Sequence, residues 1–336
     1  MQTSSFTSRS SAGTILALAL AAVLSAAFSW HAKRHWQVEN AFFGESIRIS
    51  RQYAETLRNE HPNLCIVFGG STSRTTYIPS LLLDEFGIPM VNFGLHAGFG
   101  RDVIAEFAME EAKPGDAIVV ALEPSFLEQE TETPPPSAGI DFFLSDHGLS
   151  FRRNPFFSLA PSRFPGCLSG NTRYNLFMAM KRIRRLKPYR YVVSDNLHDD
   201  GWMEVWEKRK LPFNDNRRPP VRLGKAGREF LLKIRTECER RRCRVVYQLP
   251  PRLDGAENAR AANAALLLDI LPIMPVVADP LLGVNPDPDE FADTPQHPLI
   301  AGAERASRSF GEAFANGRFW DEEALLSIIA TDKTQR

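Results

Sequence analysis

Short apolar runs alternate with amphipathic segments along most of this chain, and that alternation restricts its fold more than any other feature. The apolar runs have the length and glycine or proline boundaries of buried strands, and the longer segments have helical periodicity. The predicted strands are residues 64–69, 88–94, 117–123, 243–250 and 274–280. The predicted helices are residues 38–60, 75–87, 101–116, 224–242, 257–271 and 299–316. Alternating strands and helices form right-handed βαβ units, so the pattern predicts a three-layer α/β/α domain with a five-stranded parallel sheet.

The predicted domain organisation is one large α/β domain behind an N-terminal segment, which suits a chain of 336 residues. We assign residues 1–37 to an N-terminal tail and apolar segment, and residues 38–330 to the domain. An insertion at about 128–222 breaks the alternation directly after the third strand, so we expect it to shape substrate access. The formal net charge is zero, and no nucleic-acid partner is predicted.

Residues 12–30 are almost wholly apolar and uncharged, and they determine the predicted location. The run is near the lower length limit for a membrane span. We favour an uncleaved signal anchor, with a signal peptide cleaved near residues 25–27 and a secreted product as the alternative. A buried core helix is the weaker interpretation, because a helix that is apolar on every side suits lipid better. We expect the domain to be extracytoplasmic, although slightly denser positive charge after the run favours the opposite orientation.

The cysteines give no indication of a metal site. None of the four belongs to a CxxC pair, and no histidine spacing completes a zinc site, so we predict neither metal nor cofactor. Cys238 and Cys243 lie across a predicted helix-to-strand turn. Two free thiols are predicted there, with a disulfide as the alternative in an oxidising compartment.

A glycine pair and a serine follow the first predicted strand, as Gly69-Gly70-Ser71. Active sites of open parallel sheets lie at the carboxyl ends of the strands, and glycines permit a tight turn there. Ser71 is therefore a candidate nucleophile, close to main-chain N–H groups that can stabilise an oxyanion. The alternative is an ordinary helix N-cap.

A second polar cluster follows the fifth predicted strand, where Asp293 precedes His297 by four residues. A serine nucleophile needs a base, and the base needs an orienting acid. Pro298 disfavours helical geometry at His297, so the pair is predicted to lie on a loop. Because both clusters follow parallel strands, we expect them at the same edge of the sheet. A solvated proline-rich turn with an incidental histidine is the alternative.

Three segments of the chain resemble sequence blocks of the SGNH (GDSL-like) hydrolase superfamily. IVFGGSTS is similar to the first block, VNFGLHAGFG to the second, and FADTPQHPLIAGAERAS to the last. The resemblance covers about residues 64–123 and 224–316. It implies a flavodoxin-like fold of the SGNH type with Ser71, Asp293 and His297 as the catalytic triad.

The resemblance also implies an oxyanion hole. The N–H group of Ser71 would contribute to it together with that of Gly98, the best match to the second-block glycine. Gly94 is the alternative, because the spacing from Asn92 to Gly98 is one residue longer than usual. The third block of the family normally supplies an asparagine to this hole, and the matching stretch, ALEPS, contains none.

Two further residues are candidates for substrate binding. Glu123 follows the third strand at the active edge, where it would bind a sugar hydroxyl or, alternatively, pair with an arginine. His96 lies in the second block, where it would face the cleft or, alternatively, make a single hydrogen bond within its loop.

The departure from the third block resembles a membrane-tethered subgroup of SGNH-like proteins related to alginate acetylation proteins. That resemblance implies a serine esterase or O-acyl(acetyl)transferase that acts on an envelope glycan through an acyl-enzyme. An acylated glycan or other ester is then the expected substrate, and a membrane-bound O-acyltransferase is a candidate partner. The alternative is a catalytically weak or inactive scaffold protein, because loss of one oxyanion donor costs about 10²–10³ in turnover. An α/β-hydrolase is excluded, since its nucleophile lies in Gly-x-Ser-x-Gly on a middle strand.

Overall fold

The computed structural model describes residues 8–36, 38–133, 135–147, 156, 196–205 and 216–334. Most of the predicted insertion, including its basic run KRIRRLKPYR and Cys167, lies outside the described residues. The helices in chain order are α1 (Ser8–Trp36), α2 (Val38–Arg58), α3 (Ser71–Thr76), α4 (Pro79–Phe86), α5 (Arg101–Glu111), α6 (Pro124–Leu127), α7 (Ser137–His147), α8 (Lys225–Arg241), α9 (Ala259–Ile270), α10 (Ile300–Ala315) and α11 (Glu322–Thr334).

Four parallel strands form the central sheet. They are β1 (Cys65–Gly69), β2 (Met90–Asn92), β3 (Ala117–Ala121) and β4 (Arg244–Tyr247), in the order β2-β1-β3-β4. The register places Ile66 of β1 beside Val91 of β2 and Ile118 of β3. Because all four strands run in the same direction, their carboxyl ends meet at one edge. The α/β class with a parallel sheet is confirmed.

The prediction of a five-stranded sheet is wrong for the described residues. Residues 274–280 approach β4 at one point, where Val276 makes a single parallel bridge to Tyr247. The Tyr247 N–H donates to the Pro275 carbonyl at 2.8 Å, and the Val277 N–H donates to the Tyr247 carbonyl at 3.0 Å. Proline has no N–H to donate to a ladder, so Pro275 limits the pairing that this apolar run can make.

Helices cover both faces of the sheet. The face with Ile66 and Phe68 packs against apolar side chains of α2, α5, α8 and α9. The opposite face, with Val67 and Val119, packs against α4 and α10. Successive strand residues point to opposite faces, which explains why β1 is apolar at every position: it is buried on both sides.

Two short features lie outside the predicted alternation and carry parts of the candidate site. One is α3, which begins at Ser71, four residues before the helix predicted at 75–87, and is separate from α4. The other is a second, two-stranded parallel sheet of β5 (Arg252–Leu253) and β6 (Val284–Asn285). Both lie on the chain near the carboxyl edge of the main sheet, β5 after β4 and α3 after β1.

Cys238 and Cys243 are free thiols, as predicted, and no disulfide joins them. The Cys243 thiol donates to the Lys113 carbonyl at 3.1 Å, and burial raises its pKa.

The N-terminal apolar run lies within α1. Large apolar side chains along this helix are more than half exposed, among them those of Ile15, Leu16 and Leu24. In the part of the chain that the structure describes, no helix has the combination of length and apolarity needed to cross a membrane.

Candidate active site

Ser71, His297 and Asp293 form a continuous hydrogen-bonded chain at the carboxyl edge of the sheet. Ser71 Oγ lies 2.9 Å from His297 Nε2, although 226 positions separate the two residues. His297 Nδ1 lies 2.8 Å from Asp293 Oδ1. A carboxylate that accepts from Nδ1 favours the tautomer with an unprotonated Nε2. In that tautomer the Ser71 hydroxyl donates to Nε2, which is the arrangement of a nucleophile and its base.

Ser71 is positioned by the turn between β1 and α3. Gly69 ends β1, and a Cβ there would lie 2.0 Å from the Ala121 carbonyl oxygen, so only glycine fits. Ser73 Oγ donates to the same carbonyl at 2.6 Å and ties α3 to the end of β3. Ser71 is the first residue of α3, with Gly70 as its N-cap. Among the described residues, the Ser71 N–H has no acceptor and is available to an oxyanion.

Main-chain hydrogen bonds hold the loop that carries Asp293 and His297. The Ala292 N–H donates to the His297 carbonyl at 2.9 Å, and the His297 N–H donates to the Thr294 carbonyl at 3.3 Å. The Leu253 N–H of β5 donates to the Pro295 carbonyl at 2.7 Å. The loop is therefore bonded to β5 of the two-stranded sheet and not held directly by a fifth strand of the main sheet.

Neither glycine of the second block offers a free N–H in this structure. The Gly98 N–H donates to His96 Nδ1 at 3.0 Å, and the Gly94 N–H donates to Asn92 Oδ1 at 2.9 Å. Gly98 would have to leave its bond to His96 before it could bind an oxyanion, so its role stays a prediction. His96 makes the loop hydrogen bond of our alternative interpretation and caps the 3₁₀ turn that follows it.

Gly94 lies against the backbone of α3, the helix that begins at Ser71. A Cβ at Gly94 would lie 2.4 Å from the Arg74 main-chain nitrogen. The Leu95 N–H donates to the Gly69 carbonyl at 3.0 Å, so the segment after β2 follows β1 up to the nucleophile turn. This contact explains why glycine is needed at position 94.

Glu123 follows β3 and lies directly beside the turn between β1 and α3 that contains Gly70 and Ser71. Glu123 is only 4% exposed, and its Oε2 accepts the Gly70 N–H at 3.2 Å. A Cβ at Gly70 would lie 2.3 Å from Oε1, so the carboxyl group occupies the space that any other side chain would need. Burial raises the pKa of Glu123, and interactions with the Thr72 hydroxyl and with the N–H groups of Glu123, Gly70 and Thr72 offset this in part. Within the described residues Glu123 forms no ion pair with an arginine, contrary to our alternative.

A cleft of about 500 Å³ opens beside Glu123. Gln296, the neighbour of His297, lines the same cleft, so the cleft adjoins both halves of the hydrogen-bonded chain. Its walls are polar, and they include Arg218 and Arg252 together with Pro219. Arg218 pairs with a carboxylate of the protein, whereas Arg252 has no such partner among the described residues.

Arg74 of α3 is a buried cation that the sequence analysis did not single out. It is 1% exposed, and its Nη1 donates to Ser50 Oγ at 3.1 Å, to the Asn92 carbonyl at 3.0 Å and to the Gly201 carbonyl. Burial lowers its pKa to about 9, so it is still charged at neutral pH. Nε and Nη2 are buried and have no hydrogen-bond partner in the described part of the chain. No local pattern marks this residue, because its partners come from distant segments.

The same helix is tied to residues 196–205 by two further hydrogen bonds. Trp202 Nε1 donates to the Thr75 carbonyl at 2.9 Å, and the Met203 N–H donates to the Arg74 carbonyl at 3.3 Å. The returning end of the predicted insertion therefore packs on the helix that carries Ser71.

A scan of the chain against protein-family models found no match, and a search of curated proteins found no significant match. The resemblance to SGNH hydrolases rests on the three sequence blocks and stays a prediction.

Proposed function

We propose that this protein is an SGNH-type serine esterase or O-acyl(acetyl)transferase that works through an acyl-enzyme. One observation carries the proposal: Ser71 Oγ, His297 and Asp293 are joined by hydrogen bonds of 2.9 and 2.8 Å. Buried or half-buried serine, histidine and aspartate in this order of contact are the parts that acyl transfer requires. Their position at the carboxyl edge of a parallel sheet supports the same assignment.

In the proposed reaction Ser71 Oγ attacks the ester carbonyl carbon while its proton passes to His297 Nε2. The resulting imidazolium is stabilised by Asp293, and the Ser71 N–H donates to the oxyanion of the tetrahedral intermediate. His297 then protonates the leaving alcohol, which departs and leaves the acyl group on Ser71. Water or a second hydroxyl attacks this acyl-enzyme with His297 again as base, and Ser71 is regenerated.

A second candidate function is a catalytically weak or inactive scaffold with the same fold. The state of the Gly98 N–H favours it, because that group is already bonded to His96, whereas the Ser71 N–H is without an acceptor in the described part of the chain. An oxyanion held by a single donor is expected to form more slowly, by about 10²–10³ for each donor lost.

The expected substrate is an acylated glycan or another ester, and the polar cleft beside Glu123 and Gln296 supports a polyhydroxylated ligand. We further propose a flavodoxin-like SGNH-type fold and an extracytoplasmic domain attached to the membrane through the N-terminal segment. A membrane-bound O-acyltransferase is the proposed partner. The exposed apolar side chains of α1 support an association of this helix with lipid or with export machinery. Reporter fusions at the C-terminus test the location: an active cytoplasmic reporter with an inactive phosphatase fusion would contradict it.

The function is tested with a fluorophosphonate probe and a small acetyl ester. We expect the probe to label Ser71 in the full-length protein, and we expect Ser71→Ala to abolish both labelling and ester hydrolysis. Ser73→Ala is not a suitable control, because Ser73 supports the turn. Ser327→Ala is better, since this serine is an exposed residue of α11. Equal hydrolysis by the wild type and Ser71→Ala would favour the scaffold.

A further inference from the structure

The carboxyl group of Glu123 lies beside the Ser71 N–H, which has no acceptor among the described residues. Glu123 Oε2 accepts the Gly70 N–H at 3.2 Å, and the hydroxyl and N–H groups of Thr72 lie near enough to the carboxyl group to lower its pKa, so the group faces the residues on both sides of Ser71. A single carboxyl group that spans these two positions must lie close to the Ser71 N–H as well. The same group lines the cleft that adjoins the triad. It therefore borders the space in which an ester carbonyl oxygen would receive the Ser71 N–H.

An ionised carboxyl group in that place opposes the reaction. Attack by Ser71 creates negative charge on the carbonyl oxygen, and a neighbouring carboxylate repels that charge. A protonated carboxyl group acts in the opposite direction, because its O–H donates to the oxyanion. Enzymes use a neutral carboxylic acid in this way where an apolar environment keeps it protonated.

We propose that Glu123 in its protonated form donates a hydrogen bond to the oxyanion and is a catalytic residue of this site. The inference rests on the proposed function and deepens it. Oε2 keeps the Gly70 N–H as its donor, and Oε1, which lies over the Cα of Gly70, carries the proton toward the cleft. The hydrogen bond needs no net proton transfer, so the acyl-transfer steps remain balanced as written. Glu123 thus supplies a second donor that Gly98 does not offer in this structure.

Burial favours the protonated form, since it raises the pKa of Glu123. Tyr77 and Tyr247 face the group from the protein interior, and each lies buried with a raised pKa. Their hydroxyls are neutral at the pH values at which the carboxyl group titrates. Further charged or titratable groups face Glu123 across the cleft and from the triad loop, namely Arg218, Arg222, Arg252, Glu128, Glu130 and His297. The arginines favour ionisation, but Arg218 and Arg222 are held by Asp254 and Asp269.

The expected pH dependence follows from two required protonation states. The reaction needs Glu123 protonated and His297 neutral, so the rate must fall as the pH rises through the pKa of Glu123. Glu123→Gln provides an amide N–H at every pH, and its carbonyl oxygen still accepts the Gly70 N–H. This variant should therefore lose the fall in rate at high pH.

The experiment measures the rate of fluorophosphonate labelling of Ser71 between pH 5 and 9 in full-length wild type, Glu123→Gln and Glu55→Gln, with a thermal melt of each protein. Glu55 is an exposed residue of α2 and controls for the loss of a carboxylate. The ratio of the Glu123→Gln rate to the wild-type rate should grow by about tenfold per pH unit above the pKa of Glu123. Glu55→Gln should follow the wild type.

Each other outcome overturns the inference. A wild-type rate that rises to a plateau and stays level to pH 9 rules out a required proton on Glu123, and this result does not depend on any variant. Parallel profiles for the wild type and a folded Glu123→Gln have the same meaning, while the proposed function stands. Absence of labelling in every protein at every pH overturns the proposed function and this inference with it.

Discussion

Asp293→Asn is the most direct test of how the triad works. The change keeps the size of the side chain but removes the charge that faces His297 Nδ1 at 2.8 Å. Asparagine presents either an oxygen or an NH₂ group to the imidazole, and the NH₂ orientation would favour the wrong tautomer. We expect a lower rate of ester hydrolysis with no loss of the Ser71–His297 contact.

The size of the effect follows from the exposure of Asp293. A hydrogen bond to a charged group contributes about 1.5–3 kcal/mol. The Asp293 side chain is 35% exposed, so solvent screening places this bond near the lower end, about 1.5–2 kcal/mol. At about 1.36 kcal/mol per tenfold change, kcat/KM should fall by about 10–30-fold. The same substitution in a fully buried protease triad costs about 10⁴ in kcat, which sets the contrast.

The assay is hydrolysis of a chromogenic acetyl ester, with Ser71→Ala as the baseline and urea unfolding as a check on the fold. A loss as complete as that of Ser71→Ala would mean that Asp293 does more than orient and stabilise His297. A change smaller than about twofold would mean that Asp293 does not control the tautomer. Either result would refute the reasoning from partial exposure.

Three further perturbations test the surroundings of the triad. Gly94→Ala should lower the free energy of unfolding by about 1–3 kcal/mol in urea, because its Cβ meets backbone atoms that cannot move aside. The control Gly44→Ala on α2 places a Cβ with nothing within 4 Å and should not destabilise the protein. Equal effects of the two substitutions would contradict this. Arg74→Met should cost about 1–3 kcal/mol, because the buried Gly201 carbonyl loses its donor, whereas the Asn92 carbonyl still accepts from Ser50 Oγ; unchanged unfolding would show that burying the cation costs as much as its bonds provide. The raised pKa of Glu123 predicts a contribution to stability that is complete below its pKa in the unfolded chain and is lost as the pH rises through its pKa in the folded protein. The free energy of unfolding of the wild type minus that of Glu123→Gln should therefore fall over that pH range. A rise in this difference would mean that the pKa of Glu123 is lowered by folding.

Strand polarity made the main contact of the site predictable from sequence. Ser71 follows β1, and parallel strands bring their carboxyl ends to one edge, so a loop from the far end of the chain was expected beside it. The observed distance of 2.9 Å between Ser71 Oγ and His297 Nε2 agrees with that expectation. The support of that loop was not predictable, because the Leu253–Pro295 hydrogen bond depends on a two-residue strand with no periodicity of its own.

The missed features depend on contacts between distant segments. Residues 274–280 have the apolar composition of a strand, but Pro275 interrupts the donors that a ladder would need. The sequence motif does not show that the Gly98 N–H has an acceptor, because the bond to His96 Nδ1 depends on the conformation of the loop. The burial of Arg74 is not visible in the local sequence, because the carbonyls of Asn92 and Gly201 that accept from its guanidinium come from distant segments.

The bonds of Arg74 to Gly201 and Met203 make the end of the insertion inseparable from the core. A shortened chain that removes residues 196–205 would strand a cation in the interior, without the carbonyl that now accepts from it. Trimming of the insertion should therefore spare these residues, together with α7, whose Phe142 is buried in the core. Loss of this segment in evolution would favour a change at position 74, because Arg74 would keep only Ser50 and the Asn92 carbonyl as acceptors. A shorter relative that lacks it should carry an apolar or small side chain where this chain has Arg74.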